Sequence, residues 1–482
     1  MSLFRKIAQN SWLIPVGLIL LNFVLKILFL SSRDIALDEP FTIYYSQADL
    51  SSLFQMLKTE NNPPLFFILT HYWIAAFGIS AFSVRFLPLL FSTLTAPVIY
   101  LTGKRYFSER SGILASLFFT FSDYHLLFSH EARVYPLFAL LTGLSMYFYL
   151  SLIRDPRRRM PFYLLVLSDV LLIYAHFFGF FVIGIQVLCI IVYKDVRKAA
   201  KILILPVGIA LCFYLPYFPV LFHRFTASSG GTWVSPPVIT DLYNMVWKFC
   251  NAPVVTVFFL AVLVTGLVKY TLMRKNPVKC LSPYQKVLLN WFFVPFFFIF
   301  LVSFKMPMFL DRYLVFTSIA FYLLVSNAIV FTSGGRRVVF YTLAVIAVGG
   351  MLLTFHPNVD NRRELKKVVA TIKELRQNNI PVLICPEWTE LGFTYYYSQP
   401  IFKNYGKLRQ GLQKEMIFPL NHQGQLPMEV LERSDTIILL EEWPEVVDKN
   451  NDVFKTVSGK YNNCRKISIP EVYEIYCFTR RK

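Results

Sequence analysis

Charge is scarce in this 482-residue chain: Asp, Glu, Lys and Arg make up 16% of it, where soluble domains carry about 25%. Acidic residues are the rarer kind, 29 against 48 basic ones, for a net charge of +19. Cysteines number seven, and four of them (Cys189, Cys212, Cys250, Cys280) fall in or beside apolar runs. None keeps the Cys/His spacing of a structural zinc site. These absences argue against a soluble enzyme, a disordered protein and a secreted disulfide scaffold. What is there instead is apolar: 55% hydrophobic and 17% aromatic residues, with a mean hydropathy of +0.50.

A basic excess has two readings. In a soluble protein it suggests nucleic acid; in a hydrophobic one it suggests the positive-inside asymmetry of membrane proteins. Placement decides. Residues 1–355 hold 29 Lys/Arg and 13 Asp/Glu, whereas residues 356–482 hold 19 and 16. The first stretch has membrane composition and the second ordinary soluble composition. The sequence therefore reads as a mostly α, polytopic membrane domain over 1–355, followed by a small α/β domain over 356–482, with no nucleic-acid partner.

Spanning takes roughly 20 apolar residues. Eleven candidate spans follow: 12–31, 83–101, 111–129, 134–153, 162–177, 178–193, 202–222, 253–272, 287–304, 313–331 and 338–355. With the N-terminus cytosolic, short loops on that side collect Arg5 and Lys6; Lys104, Arg105 and Arg110; and Arg154, Arg157, Arg158 and Arg159. They also collect Lys194, Arg197, Lys198 and Lys201; Arg274, Lys275, Lys279 and Lys286; and Arg336 and Arg337. That is 19 of the 29 basic residues. The apolar stretch 63–79, with Pro63-Pro64, His71, Tyr72 and Trp73, must then not cross, because counting it would put Arg154–Arg159 outside. Residues 32–82 form one long extracytoplasmic loop with interfacial helices. An odd number of spans leaves the C-terminal domain extracytoplasmic.

In that domain Leu365, Val368, Val369, Ile372 and Leu375 keep helical spacing. Residues 381–386 and 436–440 read as buried strands, and 466–478 as a hairpin turning near Pro470-Glu471. A turn centred there sets Cys464 opposite Cys477 and admits a disulfide. No phosphate-loop or dinucleotide fingerprint occurs.

Ionisable residues at the membrane are costly and so mark function by default. They gather on the extracytoplasmic side: Asp38 and Glu39, Arg85, Asp123, His125, His130, Glu131 and Arg133, His176, and Lys305, Asp311 and Arg312. A carboxylate can deprotonate a hydroxyl, and arginines clamp phosphate through planar bidentate donors. The combination reads as glycosyl transfer from a polyprenyl-phosphate sugar to an extracytoplasmic acceptor. The competing reading is a transporter or flippase of a lipid-linked saccharide. Transporters commonly carry internal repeats and midplane charges; this sequence shows no repeat, and the candidate charges gather at one surface.

Six motifs occur in order: Leu-Asp-Glu-Pro-Phe at 37–41, Asn-Asn-Pro-Pro-Leu-Phe-Phe at 61–67 and Gly-Ile-Ser-Ala-Phe-Ser-Val-Arg-Phe at 78–86. Ser-His-Glu-Ala-Arg-Val-Tyr-Pro at 129–136, Ala-His-Phe-Phe-Gly at 175–179 and Asp-Arg-Tyr-Leu at 311–314 follow. Over roughly 10–330 the chain resembles the bacterial glycosyltransferases related to protein O-mannosyltransferases and the lipid A aminoarabinose transferase, family 39-like and of GT-C fold. The resemblance implies Asp38 as general base of an inverting transfer, with Glu39 beside it at the acceptor or a metal. It implies Arg133 and Arg312 as donor-phosphate ligands, Asp311 neutralising its neighbour. Glu131, Tyr135, Arg85, His176 and Asn62 are supporting residues. Where the family has His-Pro-Pro, this chain has Asn62-Pro63-Pro64; Asn is a poor metal ligand, so a divalent metal is left open. The acceptor is an envelope glycan, lipid or protein, and the family match implies a bacterial plasma membrane.

Overall fold

The computed structural model describes residues 12–60, 62–228, 234–273, 280–358, 363–376, 380–469 and 472–480. Arg5, Lys6, Asn61, Arg274, Lys275, Lys279, Pro470 and Glu471 lie outside the described residues. The chain divides into two compact units. One comprises 1–30, 54–69 and 85–359; the other comprises 31–53, 70–84 and 360–482.

The first unit is helical. Its long helices are α1 (Leu13–Ile27), α2 (Ala81–Tyr106, of which 85–106 belong here), α3 (Glu109–Thr120), α4 (Tyr135–Arg154), α5 (Arg159–Ala175) and α6 (Gly179–Val192). They continue with α7 (Ala200–Tyr214), α8 (Pro253–Met273), α9 (Pro283–Val302), α10 (Val315–Ser333) and α11 (Arg337–Leu353). The expected spans fall on these helices, except that 111–129 is divided. Six of the segments, over 81–106, 135–154, 200–223, 253–273, 283–302 and 315–333, are long and apolar enough to cross a membrane. Apolar helices at 13–27, 64–77, 179–192 and 337–353 are shorter.

The expected span 111–129 is broken. Ser122 caps a separate helix, Asp123–Ser129, by accepting the His125 N–H (3.4 Å). Helix α10 packs against α3, α4, α8, α9 and α11 and is the hub of the unit. Small residues permit the tightest approach: a Cβ on Gly103 of α2 would sit 2.3 Å from the Gly112 Cα of α3. Only glycine fits there, as in the small-residue seams of membrane bundles. Polar pairs tie the remaining helices: Asn22 donates to Thr120 (3.1 Å) and Lys26 to Ser92 (2.8 Å). Deep between α4, α5 and α6, Ser145 donates to Asp169 (2.6 Å) and Gln186 to Ser145 (2.8 Å).

The second unit is built on a five-stranded sheet in the order β2-β1-β3-β5-β4. Its strands are β1 (Val382–Cys385), β2 (Ile417–Pro419), β3 (Thr436–Glu442), β4 (Asn463–Ile469) and β5 (Tyr473–Thr479). Strand β1 runs parallel to β2 and β3, whereas β5 is antiparallel to β3 and β4. The fully buried Val-Leu-Ile-Cys of β1 is what a strand covered on both faces requires. Helices α12 (Leu365–Leu375) and α13 (Thr389–Tyr397) belong to the same unit.

The hairpin register corrects the disulfide expectation. Ile469 pairs with Tyr473, so Cys464 stands opposite Phe478, and Cys477 opposite Arg465. A one-residue offset puts the two sulfurs on opposite sheet faces; both cysteines are free.

Candidate functional site

The acidic pair lies in the second unit, on the segment after the first span. Asp34 fixes that segment, accepting the Lys366 N–H (2.7 Å) and pairing with its ammonium (3.2 Å). The Ile35 N–H donates to the Tyr396 hydroxyl (2.5 Å). The next residues turn sharply: Leu37 has φ 57° and is exposed, a left-handed conformation that bulky residues adopt only at a cost. That turn starts the helix Glu39–Tyr45, with Asp38 as its first flanking residue. Asp38 is half-buried and Glu39 buried. The helix packs on α13 at Gly392, where a Cβ would meet Leu365 Cδ2 at 2.7 Å and Pro40 Cγ at 3.5 Å.

The basic and aromatic candidates lie in the first unit, around the ends of α4, α5 and α10. Arg133 precedes α4 and is 9% exposed. Its Nη2 donates to Asn62 Oδ1 (3.3 Å), and its guanidinium stands 5.9 Å from the Tyr135 ring. The position where the family has His is therefore an acceptor for the arginine. Glu131 is half-buried, and its carbonyl accepts the Arg133 N–H (2.7 Å).

His176, in the loop between α5 and α6, organises the neighbourhood. Its ring stacks on Phe138 (4.7 Å, 15°) and meets Tyr135 at 6.2 Å and Tyr313 at 5.8 Å. Nδ1 accepts the Phe178 N–H (3.1 Å), which leaves the proton on Nε2. Arg312 stands 5.7 Å from the Tyr313 ring, which itself stacks on Phe178 at 4.9 Å. Two guanidiniums are thus held on aromatic faces that both touch one neutral imidazole. That arrangement suits an anion.

The remaining charged candidates have other work. Arg85 is fully buried and donates to the Leu30 carbonyl (3.2 Å), tying α2 to the end of α1. His125 bonds Ser318 (2.8 Å) in the core, and His130 bonds the Lys26 carbonyl (2.6 Å). Asp123 pairs with His356 (2.9 Å). The Asp311 carboxylate pairs with Lys248 (2.7 Å) and accepts the Arg312 backbone N–H (2.8 Å). Lys248 was not among the expected residues, and neither were Lys26 and Asp169. The last two carried a readable signal, an ionisable residue inside a span. Among the described residues no group of three or more His, Cys, Asp or Glu is placed to hold a metal ion.

No family model matches the chain, and no curated protein matches it in sequence. Solved structures do. ArnT from Cupriavidus metallidurans bound to undecaprenyl phosphate superposes with a TM-score of 0.63 at 13% identity, over 97% of this chain and 98% of that one. Its apo state gives 0.64, also at 13%, with 98% of each chain covered. The archaeal oligosaccharyltransferase AglB from Archaeoglobus fulgidus, in complex with an inhibitory peptide and a dolichol-phosphate, gives 0.56 at 9%. That match covers 97% of this chain and 74% of AglB.

The chain has the GT-C fold. It is a polytopic membrane protein, and both similar proteins are membrane glycosyltransferases of that fold. The first unit carries Arg133, His176 and Arg312 at the ends of its helices, and the second unit carries Asp38 and Glu39.

Proposed function

We propose that this GT-C protein is an inverting glycosyltransferase that moves a sugar from a polyprenyl-phosphate donor to an extracytoplasmic hydroxyl. The observation that carries the reading is the pair Arg133 and Arg312, held on Tyr135 and Tyr313 around neutral His176. The lipid phosphates bound in the ArnT and AglB structures support a lipid-linked donor. The membrane is the bacterial plasma membrane, with a cytosolic N-terminus and the 356–482 domain outside.

In this reading the Asp38 carboxylate takes the acceptor's hydroxyl proton while that oxygen bonds to the anomeric carbon. The bond from that carbon to the phosphate oxygen breaks on the opposite face, and its electron pair leaves with the polyprenyl phosphate. Arg133 and Arg312 neutralise the leaving phosphate, and Asn62 and Tyr135 hold Arg133 in place. Glu39 is assigned to the acceptor side, Glu131 to the approach of α4, and Arg85 to the join between α1 and α2.

Removing a positioned general base costs about 10²–10⁴ in rate. Purified Asp38→Asn should therefore lose kcat by that factor in a transfer assay with defined polyprenyl-phosphate sugars, while retaining donor binding. Full turnover by the folded variant would overturn the assignment of the base.

A further inference from the structure

The far ends of the same helices carry a second basic site. Arg105 stands one residue before the end of α2, Arg154 closes α4, and Asp155 and Arg158 lie in the turn to α5. These four line a cavity of about 440 Å³. Helix α4 has 20 residues, so at 1.5 Å each its ends are about 30 Å apart. The cavity is therefore at the opposite end of α4 from Arg133.

Its arginines are held in place. Arg105 donates to the Tyr147 hydroxyl (2.8 Å), and its guanidinium stands 5.4 Å from that ring and 5.6 Å from Tyr106. Arg154 donates to the Arg105 carbonyl (3.1 Å), and Arg158 pairs with Asp155 (3.2 Å). Tyr106 also meets Tyr147 at 5.7 Å and Tyr284 at 5.3 Å, an aromatic cluster of the kind that marks a membrane–water interface. Three guanidiniums face one carboxylate, and each retains donors beyond the bonds named.

Membrane topology alone explains basic residues here but not their convergence. Arg157 lies in the same turn and Arg159 opens α5, and neither lines the cavity. We propose that the Arg105–Arg154–Arg158 cavity binds a phosphate ester at the membrane surface, either a lipid headgroup or a phosphate-bearing solute. Basic pockets between helix ends are where anionic headgroups bind, and the volume lies within the range of small-ligand sites.

Full-length protein in detergent is titrated with phosphatidylglycerol, phosphatidylcholine or inorganic phosphate, read by native mass spectrometry and thermal shift. Arg154→Gln/Arg158→Gln should weaken the phosphatidylglycerol interaction at least tenfold, whereas Arg157→Gln/Arg159→Gln, with the same loss of charge, should change it less than twofold. Arg154→Lys/Arg158→Lys keeps the charge and loses the fork, so it falls between. That variant decides the matter if the Gln pair does not fold. Stabilisation by phosphatidylglycerol alone identifies a headgroup; stabilisation by inorganic phosphate alone identifies a solute. Equal loss in both Gln pairs, or equal retention of phosphatidylcholine, overturns the site.

Discussion

Glu441 near the end of β3 makes the C-terminal sheet sensitive to pH in a direction opposite to most carboxylates. It is 2% exposed, and its Oε1 has no hydrogen-bond partner among the described residues. Its cross-strand neighbour on β5 is Glu474, a like charge directly opposite. Burial first, and then Glu474, raise its pKa from 4.5 to about 7, against a hydrogen bond from the Asn451 side chain and the charge of Lys466. Between those two values the folded state binds more protons than the unfolded one. Stability therefore falls as pH rises through that window. The penalty is absent below about pH 4.5 and complete above about pH 7.

At about 1.4 kcal/mol per pKa unit the penalty is on the order of 3 kcal/mol. Glu441→Gln removes it, so the variant should match wild type near pH 4.5 and exceed it by that order at pH 8. The assay is hydrogen exchange of the β3 and β5 amides in the full-length protein, comparing variant with wild type at each pH. The comparison cancels the intrinsic pH dependence of exchange. Glu474→Gln should recover part of the gain, because it removes the opposing charge and leaves the burial. A variant no more protected than wild type at pH 8, or one already more protected at pH 4.5, would refute the reasoning.

The other expectations concern the helical unit. Arg133→Lys and Arg312→Lys keep a charge and lose the planar fork. Each loses a charge-assisted contact of about 1.5–3 kcal/mol, so kcat/KM for the donor should fall about 10–100-fold. An unchanged value would remove that arginine from the donor site. Gly103→Leu must push α3 away from α2, since even a Cβ stands 2.3 Å from Gly112 Cα. Size-exclusion profiles should show loss of the monodisperse protein. Asp169→Ala strips Ser145 and Gln186 of their shared acceptor and should cost about 1–2 kcal/mol in detergent unfolding. Asp169→Asn, which keeps an acceptor oxygen, should cost less than half as much.

The helices were legible because a span announces itself by about 20 apolar residues; the expected spans fall on helices, with 111–129 divided at Ser122. What was not legible depends on partners remote in sequence. Asp34 and Lys366 are separated by 332 residues, and nothing local to residues 31–53 states that they fold with 360–482. Strand β2 has three residues, too few to show a period. The Cys464–Cys477 expectation failed on one residue of register, because the turn was placed by its proline rather than by ladder pairing. Asp38, Arg133, His176 and Arg312 were readable as candidates, since each combines a charged or imidazole side chain with the end of an apolar run. The aromatic scaffold beneath the arginines was not, because 27 Tyr and 48 Phe leave no single ring conspicuous.

Positive charge, counted as one quantity in the sequence, divides in the structure by what each residue touches. Arg85 and Lys26 are fully buried on a carbonyl and on a hydroxyl; their work is to join α1 to α2. Lys248 is spent on Asp311. Arg133 and Arg312 stand against the Tyr135 and Tyr313 rings, both of which neighbour His176. Arg105 shares the last of these arrangements, a guanidinium between tyrosines, at the other end of the same helices. A cation packed on an aromatic ring is oriented but not neutralised. Packing on a ring fixes where a guanidinium points, whereas a buried carbonyl or hydroxyl partner ties one helix to the next.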